Sequence, residues 1–195
     1  MSSMEATKPV DANDPFEVRK LYKYLRVVDV SDAMDGMGRH DLGLMWPEVR
    51  PLWLGMRFWG PALTVRCVPA NRHMWPLQTT EEIQNAHGIW FKEMGNVRWQ
   101  PMIQPGHVVV MDTGGSGEVG FWGSANSMGV TLKGAVGIVT DGYCRDTAEV
   151  TLQQTPVCCR ARSHDYPRPH PSGRGANDYW LRGRAGASGR YGWLR

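Results

Sequence analysis

Several features that would place this sequence in a class at once are absent. Nowhere do 18 apolar residues run together, so no bilayer-crossing helix is expected. The opening MSSMEATKPVDANDPFE has no apolar stretch behind a basic start, and a secretory leader is not expected either. The four cysteines, Cys67, Cys144, Cys158 and Cys159, make no CxxC. Neighbours such as Cys158 and Cys159 rarely pair with each other, so the expectation is four reduced thiols in a cytoplasmic protein, not a disulfide framework. The histidines (His40, His73, His87, His107, His164 and His170) show neither HxxxH nor HxH spacing. A GxSxG turn is missing as well, which removes the signature of a serine hydrolase.

From Arg160 onward the chain also lacks Val, Ile, Met, Phe, Thr, Lys, Glu and Gln. Eight arginines and two aspartates give this stretch a net charge of +6, and the rest of the chain carries −3, so the overall +3 hides a mildly acidic body. A segment this poor in apolar residues buries little, and residues 161–195 are expected to be disordered, loosely docked or non-native. A shifted reading frame in GC-rich coding DNA yields the same Arg/Gly/Ala/Pro mixture. A basic tail dotted with aromatics would also suit nucleic acid, although nucleic acid is not the expected partner.

What is present suits one α/β domain. A length of 195 residues with 42% hydrophobic content supports a real core. After a flexible N-terminus over 1–16, the stretch PFEVRKLYKYL predicts a helix with Val18, Leu21, Tyr22 and Leu25 on one face. A short second helix is expected to be capped by Ser31 or Asp32 and ended by Gly36 or Gly38. Thr79 and Glu82 have the spacing of a capping box at the start of a third helix. Strands are predicted over 60–68, 105–112, 134–141 and 156–160, with a helix over 145–154 and a glycine-rich loop and short helix between 114 and 130. Strands alternating with helices argue for an α/β fold. No internal repeat is visible.

Two stretches carry candidate chemistry. Gly115-x-Gly117-x-x-Gly120 follows a predicted strand, and Asp141 stands twenty-one residues after the last of these glycines. That is close to a dinucleotide-binding fingerprint, and NAD is one ligand it would suit. Gly123, Ser124 and Asn126 are poor formers of the helix interior such a site needs. The second stretch is GIVTDGYCRD (137–146), where an apolar strand gives way at once to Arg145 beside Asp146. Adjacent residues on a turn point in different directions, so the two are suited to holding two different things. A guanidinium near helix-end amides receives a small carboxylate, and a lone carboxylate with water ligands is the usual way Mg²⁺ or Mn²⁺ is held. The alternative is a surface ion pair at a helix start.

VSDAMDGMG (30–38), RPLWLGMRFWGPALTVRCVPAN (50–71), QPGHVVVMD (104–112), GFWGSANSMGVTLKGAVGIVTDGYCRD (120–146) and TPVCCR (155–160) together resemble the RraA-like family. That family includes class II 4-hydroxy-4-methyl-2-oxoglutarate aldolases and the regulator of ribonuclease E activity. The resemblance covers roughly residues 17–160 and implies a swivelling β/β/α domain assembled as a homotrimer or a pair of trimers, with sites at subunit boundaries. It implies Mg²⁺ or Mn²⁺ at Asp146, with Arg145 on the pyruvate-like end of a 2-oxo acid. The substrate carboxylate would rest on backbone amides of Gly123, Ser124, Ala125 and Asn126. The implied reaction is cleavage of a C–C bond next to a 2-oxo acid, as in the aldolase or in oxaloacetate decarboxylation. A regulator acting by protein–protein contact is the alternative that the family offers.

The chain departs from the family in two places. An acidic residue twenty-one positions before the arginine, which helps proton transfer in the aldolases, is here Ser124. After TPVCCR, the family's valine-rich strands and its Pro-Gly-Asp turn are missing, so the C-terminal strands are expected to be absent or replaced.

Overall fold

The structure, a computed structural model, describes residues 9–69, 78–89, 98–114, 120–162 and 179–182. Four strands form the centre of a six-stranded sheet: β2 (Ala62–Pro69), β3 (Val108–Asp112), β5 (Gly137–Thr140) and β7 (Val157–Cys159). They run parallel in the spatial order β7-β5-β3-β2. The apolar sequences of β3, β5 and β7 suit strands covered on both faces, whereas β2 alternates, with Leu63, Val65 and Cys67 buried and Thr64 and Arg66 exposed. Register lines Leu63, Val109, Ile138 and Val157 into one row across the four strands, each of them buried. Each such side chain contributes roughly 1.5–3 kcal/mol on burial, as an upper bound. The short β1 (Arg50–Pro51) lies antiparallel on β7, and β9 (Tyr179–Arg182) antiparallel on β2.

A second sheet of three parallel strands, β4 (Gly120–Trp122), β6 (Tyr143–Cys144) and β8 (Ala161–Arg162), follows the same order as the first. Between them run helices α4 (Ser124–Leu132) and α5 (Thr147–Leu152). The chain thus goes β3-β4-α4, then β5-β6-α5, then β7-β8: a ββα unit is repeated in space although no repeat is visible in sequence. Strands of two or three residues are too short to show a hydrophobic period, which is why the second sheet is illegible in the sequence. Strands β8 and β9 both fall within the basic C-terminal segment for which strands were expected to be absent or replaced. The rest of that segment, and residues 1–8, lie outside the described residues.

The helices form where expected, with two differences: the first is shorter and the second starts earlier. Asp14 caps α1 (Pro15–Leu21) by accepting the Phe16 N–H at 2.8 Å, with Pro15 in the first turn. The predicted apolar face is interrupted, because a 3₁₀ turn takes over at Tyr22–Tyr24. Helix α2 (Val27–Gly36) begins before Ser31 and Asp32, which lie inside it. Its first turn is stabilised by Asp29, whose carboxylate accepts the Arg26 N–H at 2.6 Å. At α3 (Thr80–Ile89) the capping box forms as the spacing predicts. Thr79 Oγ1 accepts the Glu82 N–H at 3.1 Å and Glu82 Oε2 accepts the Thr79 N–H at 3.0 Å.

Candidate functional site

Each ββα unit passes from a strand of the small sheet into a helix, and two of these passages lie side by side. Trp122 ends β4 and is paired in register with Cys144, which ends β6. The next residues are therefore neighbours: Gly123 and Ser124 at the start of α4, Arg145 and Asp146 at the start of α5. The Arg145 N–H donates to the Trp122 carbonyl at 2.8 Å and locks the two passages together. This is the carboxyl end of parallel strands, where open α/β sheets bind ligands.

Asp146 has φ 52° and ψ 37°, a left-handed conformation that aspartate tolerates better than most residues. In that conformation its side chain does not cap its own helix. It turns to the neighbouring one, where Oδ2 accepts from the Ser124 N–H at 3.2 Å and from the Ser124 hydroxyl at 3.4 Å. Such a contact between a carboxylate and the first amide of a helix is favoured by the helix dipole. Gly123 is required by crowding: a Cβ there would sit 2.6 Å from Asp146 Oδ2 and 3.1 Å from Arg145 Cγ. The next two amides of α4, on Ala125 and Asn126, have no acceptor one turn back, and the Ser127 N–H is the first to find one, on Gly123 at 3.0 Å.

Arg145 Nε stands 3.8 Å from Asp146 Oδ2, beyond hydrogen-bond distance, and the guanidinium side chain is 63% exposed. So loose and exposed a pair contributes little to stability, which leaves Arg145 available to an anion. The structure thus places side by side the two stretches read from the sequence as an oxo-acid and cation site, Gly123, Ser124, Ala125 and Asn126 on one and Arg145 and Asp146 on the other. Sequence reasoning missed the two braces that hold them. The Trp122 indole N–H donates to the Ser127 hydroxyl at 2.7 Å in the core, fixing how β4 meets α4. Asp141 Oδ1 accepts both the N–H and the hydroxyl of Thr113, at 2.7 and 2.8 Å. Neither brace has a sequence signal beyond the residue types themselves.

A divalent cation fits Asp146 in a limited way. Its side chain is about one-third exposed at 34%, and Oδ1 accepts no hydrogen bond among the described residues. No cluster of three or more His, Cys, Asp or Glu side chains with metal-binding geometry occurs among those residues. One carboxylate, a hydroxyl and water ligands suit Mg²⁺ or Mn²⁺, and do not suit Zn²⁺, which takes several protein ligands.

The four thiols are buried, and none is in a disulfide among the described residues. Burial, with Asp141 and Asp112 nearby, pushes Cys67 up to about 12, and burial beside Cys159 pushes Cys158 up to about 11. A hydrogen bond with Cys159, together with burial, raises Cys144 as well. None of these three is a thiolate nucleophile at neutral pH. The dinucleotide fingerprint fares worse: Gly120 is the first residue of β4 and does not open α4, and Asp141 accepts from Thr113. Residues 115–119 of that fingerprint lie outside the described residues.

Over residues 27–179 the chain matches the RraA-like family, described as Aldolase/RraA. No curated protein matches the sequence. Among solved structures, an uncharacterized protein from Pseudomonas syringae pv. tomato is 21% identical with a TM-score of 0.57, covering 85% of this chain and 64% of its own. Streptomyces coelicolor RraAS2, an unusual member of the RNase ES inhibitor RraA family, is 20% identical with a TM-score of 0.59, covering 85% of this chain and 70% of its own. A protein described among novel cellulases from gut-associated microbes is 18% identical at a TM-score of 0.59, covering 91% and 68%. The chain thus spans just under two thirds of the Pseudomonas protein. These likenesses establish the fold, which is α/β. With the match extending over more than half of its length, the chain belongs to the RraA-like family.

Proposed function

We propose that this protein is a divalent-cation-dependent carbon–carbon lyase that acts on small 2-oxo acids and releases pyruvate, as an oxaloacetate decarboxylase or a 4-hydroxy-4-methyl-2-oxoglutarate aldolase does. The observation that carries the proposal is the convergence of an exposed, only loosely paired guanidinium, a carboxylate and free helix-end amides at the junction of β4-α4 and β6-α5. Mg²⁺ or Mn²⁺ held at Asp146 would supply Lewis-acid polarisation of a 2-oxo carbonyl. Arg145 binds the carboxylate next to that carbonyl, through charge-assisted hydrogen bonds. The amides of Ala125 and Asn126 receive carboxylate oxygens at the positive end of α4. Ser124 orients Asp146 and, as a neutral hydroxyl, is no base for a substrate hydroxyl proton. Retro-aldol cleavage needs that base and decarboxylation does not, so oxaloacetate is the favoured substrate of the two.

A second reading has its own support. Members of the family include inhibitors of ribonuclease E type, and the segment from α2 to the following loop exposes Val27 at 86%, Leu44 at 67% and Trp46 at 56%. An apolar surface of this kind suits either a non-catalytic regulator acting by protein–protein contact or a homotrimer or hexamer with sites at its subunit boundaries. Reduced, buried thiols suit a cytoplasmic setting. Among the described residues no helix is long and apolar enough to cross a membrane.

The test is pyruvate release from oxaloacetate and from 4-hydroxy-4-methyl-2-oxoglutarate with Mg²⁺, with Mn²⁺ and with EDTA, after subtracting spontaneous decay. The lyase reading requires EDTA-sensitive turnover that Arg145→Ala abolishes. A folded protein without turnover on either substrate would overturn it and favour the regulator.

A further inference from the structure

We infer that Asp141 is a positioning residue: its carboxylate, clasped to Thr113, fixes the crossing from the large sheet to the small one and so sets where Arg145 and Asp146 arrive. The two ββα units and the β7-β8 pair leave the large sheet at equivalent points, immediately after β3, β5 and β7. The residues there are Thr113, Asp141 and Arg160; the first two are joined directly, and Arg160 is joined to the residue after Asp141. Asp141 Oδ1 receives both the N–H and the hydroxyl of Thr113, and the Arg160 N–H donates to the Gly142 carbonyl at 2.9 Å.

Thr113 is 1% exposed, so its hydroxyl has given up water and depends on this one carboxylate. Gly142 is wedged beside the clasp. Its N–H donates to Thr140 Oγ1 at 3.0 Å, and a Cβ there would meet Thr113 Cγ2 at 2.8 Å. Only Tyr143 and Cys144 separate this fixed point from Arg145. A chain held at Asp141, at Gly142 and again at the Arg145 N–H has little freedom to shift the pair relative to Ser124. Its effect on the site is through the backbone it holds: Thr113 just after β3, and its own position two residues before β6.

In its effect on turnover this inference rests on the lyase reading; its positional part does not. The experiment is amide hydrogen exchange on the full chain, comparing the Arg145 and Ser124 amides with the core amide of Ile138. For Asp141→Ala the expected result is exchange at Arg145 and Ser124 faster by about ten-fold or more, with Ile138 unchanged. Thr113→Val, which removes the hydroxyl and keeps the amide donor, should show a smaller acceleration at the same two amides. Thr113→Ser and Asp141→Asn, which keep donors and acceptor, should stay near wild type. If Arg145 and Ser124 exchange as in wild type in both Asp141→Ala and Thr113→Val, or change only in step with Ile138, the inference is overturned. Oxaloacetate turnover, read in parallel, should fall about ten-fold in kcat/KM with Asp141→Ala and be retained with Asp141→Asn. Absence of turnover in the wild type would remove the lyase reading, and the exchange result would still decide the clasp.

Discussion

Ser124 directs both its backbone N–H and its hydroxyl at one oxygen of Asp146, from 3.2 and 3.4 Å, across a sequence separation of 22 residues. The residue that departs from the aldolase pattern is thus in direct contact with the proposed cation ligand. A carboxylate at position 124 would stand against Asp146 with like charge. Two carboxylates so close repel each other unless a cation lies between them. Ser124→Asp is therefore expected to destabilise the protein by about 1 kcal/mol in EDTA. Millimolar Mn²⁺ should raise its melting temperature more than it raises that of the wild type. Equal Mn²⁺ shifts for the two proteins, measured by calorimetry, would remove Asp146 as a cation site.

The brace beneath the site is open to a simpler measurement. Trp122 and Ser127 are both fully buried, and the indole N–H has the Ser127 hydroxyl as its acceptor at 2.7 Å. Ser127→Ala leaves that N–H buried without a partner, at a cost of about 1–3 kcal/mol. Urea unfolding should show the loss as a lower midpoint with an unchanged slope. Because Trp122 immediately precedes Gly123, Arg145→Ala and Ser127→Ala should differ in kind: the first spares stability and the second does not.

Much of this was legible in the sequence, for definable reasons. Val108 to Met111 and Gly137 to Thr140 read as strands because an apolar run bounded by glycine and aspartate has few other uses. Thr79 and Glu82 declared a helix start because both partners of a capping box lie within one turn. Arg145 and Asp146 stood out because neighbouring opposite charges after a buried strand call for an explanation. The sequence reading puts the cap of α2 at Ser31 or Asp32, but the helix starts earlier because Asp29, inside its first turn, reaches back to the Arg26 N–H. Contacts such as Thr113 with Asp141 and Ser124 with Asp146 join residues more than twenty positions apart. Only the register of β3 with β5 and of β4 with β6 creates them, and register is a property of the assembled sheets.

The buried thiols set an alkaline limit on stability. Cys67 is pushed up to about 12 and Cys158 to about 11, first by burial in both cases. A thiol whose folded pKa lies above its ordinary value of about 8.5 stabilises the fold below that value. The contribution declines as pH rises from there towards the folded pKa. Chemical-denaturation midpoints should therefore fall progressively above pH ~9, and Cys67→Ala should flatten part of that fall. Below pH 8 the native thiols should react with Ellman's reagent far more slowly than in urea.

At the acid end the relevant group is His107, one residue before β3. Its Nδ1 accepts the Gln104 N–H at 2.9 Å, and its ring packs on Phe16 of α1 with centroids 4.9 Å apart. Burial lowers its pKa from the ordinary value. Arg19 packs on the adjacent Gly106, where a Cβ would meet its guanidinium at 3.2 Å. Arg19 also ties α1 to the sheet, donating through Nε to the Trp59 carbonyl at 3.0 Å, while the Trp59 indole donates to the Arg19 carbonyl at 3.1 Å. A histidine with a depressed folded pKa stabilises the fold above its unfolded value of about 6.5, and the contribution is lost as pH falls through the folded pKa. Protonation also removes the lone pair that receives Gln104. His107→Asn retains an acceptor for that N–H and cannot titrate. Stability measured between pH 7 and pH 4.5 should fall more steeply in the wild type than in His107→Asn, and parallel curves would show that the α1 contact does not depend on a neutral His107.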